Sequence, residues 1–123
     1  MKKEILIHEI ESMIRSLDFI QEEQSFIKHK LSSLLDNLVM NDLLEWSEEL
    51  HQEILNRETA VKLLKRDVIK LTHLIKSKKD INDLIEPNVV STYKKYKQQV
   101  SYFESQFFIW KNNVNVQFDR VLN

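Results

Sequence analysis

Glu48-x-x-His51 places a carboxylate and an imidazole three residues apart, the spacing of a ligand pair on one helix of a di-iron bundle. Such a centre needs two of these pairs and two further glutamates, all facing inward from four helices. Here the heptad position of Glu48 turns it away from the core, and no second pair supports it. His8, His29 and His73 stand at outward positions with no carboxylate cluster near them. The chain has no cysteine and therefore no thiolate ligand, and it has no glycine to build a phosphate-cradling loop. No nucleophile sits beside a base, and no carboxylate pair lies on an apolar face. Neither catalytic residues nor a metal nor a cofactor is expected, and the chain does not read as an enzyme.

Two polar residues interrupt otherwise apolar rows, Gln24 and Arg57. A glutamine and an arginine at one level of a helical core can hold an anion. More often a single polar layer fixes register and strand number, and that is the role expected here. Arg57 is expected to stack on Phe107 in the same layer. Ser47 and Gln117 form a second polar pair, nearer one end.

The rows that position these residues are three heptad seams, with apolar side chains at alternating steps of four and three. The first runs Leu6, Ile10, Met13, Leu17, Ile20, Gln24, Ile27, Leu31, Leu34 and Leu38. The second runs Leu43, Ser47, Leu50, Ile54, Arg57, Val61, Leu64, Val68, Leu71 and Ile75. The third runs Val89, Tyr93, Tyr96, Val100, Phe103, Phe107, Trp110, Val114, Gln117 and Val121, and it carries the largest side chains. Asp36-Asn37 and Asn41-Asp42 favour a turn, and Asp42 with Glu45 reads as a capping box. Asp83 with Glu86 is a second such box, and Pro87 suits the first turn of a helix starting between Asp83 and Asn88. In the connector Ile81, Leu84 and Ile85 are spaced as a helical turn over the open end of the core.

These features predict an all-α fold, a single domain over 1–123: an antiparallel three-helix bundle, up-down-up, with coiled-coil-like heptad packing. Layer partners in the first two helices have numbers summing to about 81, and the third helix runs parallel to the first with Val89 beside Leu6. Of the two possible windings, one sets Glu9 and Glu23 opposite Lys97 and Lys111, while the other sets Glu58 beside Glu104; the first is expected. The arrangement resembles the three-helix units of spectrin-type proteins in architecture along the whole chain, without a shared motif, and so implies nothing about function.

At 123 residues with a formal net charge of -1, the chain is no globally basic nucleic-acid binder. No stretch has the apolar length of a membrane span or of a signal-peptide core, which points to a soluble, cytoplasmic protein. Two surface features exceed what a solvated bundle needs. Phe19, Phe26 and Phe108 fall at similar heights outside the seams, and Tyr102, Ile109 and Val116 recur every seven residues on the next row. Together they predict a partner-binding face centred on the third helix, with a homodimer or a protein partner as occupant. Charge is also polarised along the rod. Seven basic residues between Lys62 and Lys79, joined by Lys94, Lys95 and Lys97, oppose six carboxylates between Asp42 and Glu58. The basic end is the basis of the alternative function, binding of nucleic acid or another anionic surface.

Overall fold

A computed structural model of the chain describes residues 1–37, 41–77 and 85–122. Its elements are three helices, α1 (Lys3–Asn37), α2 (Asn41–Ser77) and α3 (Pro87–Leu122), of 35, 37 and 36 residues. Each is interrupted by neither glycine nor internal proline, and strong helix formers fill the positions between the apolar steps. Charges suit the helix dipoles at several ends: Glu4 lies in the first turn of α1, Lys76 in the last turn of α2 and Arg120 in the last turn of α3. Pro87 opens α3, where its missing N–H has no intrahelical partner to lose. The Glu86 carbonyl accepts from the N–H groups of Val89 (3.1 Å) and Val90 (3.2 Å), so the helix begins within the expected window.

α1 ends at Asn37 and α2 begins at Asn41, one residue ahead of the capping-box Asp42, so the break between them lies within the stretch where a turn is expected. Leu38, Ile81, Asp83 and Leu84 lie outside the described residues, as does the side chain of Asp42. Of the connector, Ile85 is described. It is buried but not helical, and its N–H donates to the Met1 carbonyl at 3.3 Å, which ties the start of the chain to the entry of α3.

The bundle is the expected one. Every α1 seam residue from Leu6 to Leu34 is buried, as is every α2 seam residue from Ser47 to Ile75 except Arg57. In α3 the buried set is Val89, Tyr93, Val100, Phe107, Trp110 and Val114, while Tyr96, Phe103 and Val121 pack part-buried against it. One position is corrected. Gln117 is only half-buried, and Phe118 beside it is fully enclosed at 0% exposure. A phenylalanine displaces more ordered water than a glutamine, so a slight rotation of the last turns brings the ring inward and leaves the amide at the margin.

The winding follows the charges. Lys97 lies 4.0 Å from Glu9, Lys111 lies 3.0 Å from Glu23, and the Tyr93 hydroxyl donates to Glu9 at 3.4 Å. Across the other groove Lys28 lies 3.2 Å from Glu58, and Lys65 contacts both Asp18 and Gln21. Exposed pairs like these are each worth only about 0.2–1 kcal/mol. The same winding also packs the flanking residues Ile7, Ile14, Trp46 and Val90 against the core.

Candidate functional site: a polar core layer and an apolar surface

The polar layer sits midway along the rod. Gln24, 1% exposed, presents a side-chain carbonyl that no donor reaches. It lines a cavity of about 40 Å³ together with Arg57, Phe103, Gln106 and Phe107, so the residues expected in one layer border the same space. Arg57, however, makes its main contact elsewhere. Its guanidinium carbon stands 4.8 Å from the centroid of the Trp110 ring rather than on Phe107. Indole presents the strongest negative face to a cation, which accounts for the choice. The indole N–H of Trp110 in turn donates to Glu53 at 3.0 Å, so carboxylate, indole and guanidinium form one connected group between α2 and α3. Burial lowers the Arg57 pKa from its ordinary value, and the Glu53 carboxylate and the Tyr102 hydroxyl act in the opposite sense.

This geometry separates the two members of the layer energetically. Gln24 carries the desolvation cost of a polar group without a bond to offset it, so Gln24→Leu is expected to raise stability by about 1 kcal/mol. Arg57→Ala exposes the Trp110 face and removes the packed stem of the side chain, and it should lower stability by a similar amount. The double change to leucine should leave stability equal or higher. Urea midpoints of the four proteins measure all three effects, and a Gln24→Leu protein that unfolds earlier than the parent would contradict the account.

The second expected polar pair does not form. The Ser47 hydroxyl donates to the Leu44 carbonyl of its own helix at 2.7 Å. Gln117 instead accepts from the indole N–H of Trp46 at 2.7 Å, and the Trp46 ring stands edge-on to Phe118 with centroids 5.8 Å apart. Lys30 from α1 covers the same phenyl ring at 4.8 Å. A buried serine is satisfied within its own helical turn, so it has no need of a partner across the bundle.

Phe19, Phe26, Tyr102, Phe108, Ile109 and Val116 are all exposed, the highest values being 67% at Phe26 and 66% at Phe108. They flank two grooves. Phe19 and Phe108 line a groove of about 420 Å³ between α1 and α3, rimmed by Arg15 and Glu104, and Phe26 stands on the same outward row of α1 one heptad beyond Phe19. Tyr102 lines a groove of about 480 Å³ between α2 and α3, along with Leu64, Asp67, Lys95 and Phe103. Ile109 and Val116 continue that row. Leu55, Leu63 and Leu74 add exposed apolar surface on α2, of which Leu55 and Leu74 stand beside the core positions Ile54 and Ile75. A third groove, between α1 and α2, is lined mainly by polar side chains, among them Gln21, Glu58, Thr59 and Lys62.

Glu48 and His51 are both exposed, as are His8, His29 and His73. Among the described residues no group of three histidine or acidic side chains is placed to hold a metal ion, and no helix is long and apolar enough to cross a membrane. No family model, curated protein or solved structure matches the chain.

Proposed function

We propose that the protein is a non-enzymatic interaction or structural module whose working surface is the aromatic face of α3 and its neighbours. One contrast carries the reading. Within a single turn α3 buries Phe107 and Trp110 in the core while leaving Phe108 and Ile109 more than half exposed. Large apolar side chains gathered beside grooves mark contact surfaces, because they gain most from leaving water. Self-association is the form of contact the reading favours.

In the alternative, docking of the basic end on nucleic acid or an anionic surface, two of the charges also face carboxylates of α1. Lys65 is held by Asp18 and Lys97 faces Glu9. Pairs this open to solvent are weak, so they compete only slightly with phosphate contacts, and the formal net charge of -1 weighs more against the alternative.

Analytical ultracentrifugation tests the proposal. The parent should sediment above monomer mass at high micromolar concentration with little dependence on salt, and Phe108→Glu with Ile109→Glu should return it to monomer. Association through the oppositely charged ends would instead weaken steeply as salt shortens the Debye length below about 10 Å. A parent that stays monomeric would end the self-association reading.

A further inference from the structure

We infer that the occupant of this surface is a second copy of the chain, lying antiparallel on the α2–α3 face about a two-fold axis level with the midpoint between Tyr102 and Ile109. The inference rests on the interaction-module reading and adds the partner, the face and the orientation.

The contacts between α2 and α3 fix their register. Trp46 meets Gln117 and Phe118, and Glu53 meets Trp110, so each step up α2 is a step down α3. Glu45 and Glu49 therefore stand at the height of Val116 and Asp119. Leu63 stands level with Tyr102, and Arg66 and Lys70 stand level with the stretch from Lys94 to Gln98. All of these side chains are exposed. From one end to the other the face runs from mainly acidic through apolar to mainly basic, with Arg120 and Asp67 as the exceptions at the two ends and the apolar part close to the middle of the rod.

A surface patterned in this way is complementary to itself when turned end for end. A two-fold axis lying in the contact plane, perpendicular to the rods, sets α3 against α3 and α2 against α2. Tyr102 then meets Ile109 of the second copy, and Ile109 meets its Tyr102. The same operation carries Glu45 and Glu49 to the height of Arg66 and Lys70 of the other chain, twice over by symmetry. Arg66 also lies 3.8 Å from Asp67 on its own helix, an exposed pair too weak to withhold it. A parallel copy would set basic end on basic end and acidic on acidic, which repulsion opposes. The α1–α3 patch lacks this pattern, because the carboxylates of the acidic end are concentrated on α2. Area is sufficient. A rod on the order of 50 Å long and about 20 Å across two helices offers roughly 1,000 Å², against the about 800 Å² per partner of a standard interface.

The chain has no cysteine, so introduced thiols report pairing without background. Glu49→Cys and Arg66→Cys are prepared as separate single variants, mixed in equal amounts and oxidised. In the antiparallel pair, position 49 of one chain meets position 66 of the other, so the mixture should give a cross-linked dimer. Each variant alone should not, because its two thiols are then on the order of 25 Å apart. Cross-linking by Glu49→Cys alone, or none by the mixture while sedimentation still shows a dimer, overturns the arrangement and leaves the interaction module standing. Ile109→Glu should weaken association on the order of 30-fold, as loss of a central contact does, whereas Phe19→Glu with Phe26→Glu should leave it unchanged. The opposite ranking moves the interface to the α1–α3 patch and refutes the inference. All five substituted sites are exposed, and circular dichroism confirms that each variant is folded. A monomeric parent refutes both the inference and self-association.

Discussion

Phe118→Ala should destabilise the protein by about 3–5 kcal/mol, a large part of the roughly 5–15 kcal/mol that holds a domain of this kind together. The ring is fully enclosed near the end of α3. It receives the edge of Trp46 from α2 and the ammonium of Lys30 from α1, so it joins all three helices at one point. Removing it opens a cavity that a bundle end can only partly close, and it takes both ring contacts with it. Gln117→Ala, one residue away, should cost about 1 kcal/mol, the worth of its single hydrogen bond from Trp46. Urea unfolding followed by circular dichroism measures both. The heptad seam ranks these two positions the other way, so equal effects, or a larger one at Gln117, would restore the simple seam and refute the rotation of the last turns.

Trp110→Ala has the second large expected effect, again about 3–5 kcal/mol. The indole is buried beside Phe107, with ring centroids 6.1 Å apart, and it holds Arg57 on its face and Glu53 on its N–H. Its loss creates a cavity and also leaves a guanidinium half-buried beside empty space. Trp110→Phe separates these contributions, because it keeps most of the volume and a weaker cation-binding face while giving up the hydrogen bond. It should cost about 1–2 kcal/mol. In a double-mutant cycle Trp110→Ala and Arg57→Ala should be non-additive by about 0.5–2 kcal/mol. Additive losses would mean that the 4.8 Å stacking contributes nothing.

Much of this architecture is legible in the sequence, for a physical reason. A heptad spacing leaves a long helix one apolar stripe, and three such stripes of matched length have few ways to cover one another. The charges at Glu9, Glu23, Lys97 and Lys111 then point to the winding observed. The polar exceptions were less legible. Spacing shows that Gln24 and Arg57 share a level, but not that Arg57 turns to an indole one turn along, because side chains of that length choose among several neighbours. Ser47 and Gln117 show the same limit, since one is satisfied within its own helix and the other by a tryptophan outside the seam. Phe118 is hidden in the sequence because a strict alternation of four and three admits one residue per step, and nothing in the spacing says when an aromatic neighbour displaces it. Trp46 was the available signal. An indole in α2 at the height of an aromatic pair in α3 has to lie somewhere, and the core is where it gains most. The exposure of Phe19, Phe26, Tyr102, Phe108, Ile109 and Val116 is legible in the heptad positions. Their division into two grooves depends on helix rotation, which the pattern alone does not give.

The two tryptophans have one further consequence. Trp46 belongs to α2 and is anchored on α3, whereas Trp110 belongs to α3 and is anchored on α2, so both indole hydrogen bonds cross the same helix pair. The first helix contributes no indole of its own. The intrinsic fluorescence of the molecule is therefore a native gauge of whether the second and third helices are docked. It reads that docking at two heights along the rod, and it registers the first helix only through what that helix shields from water.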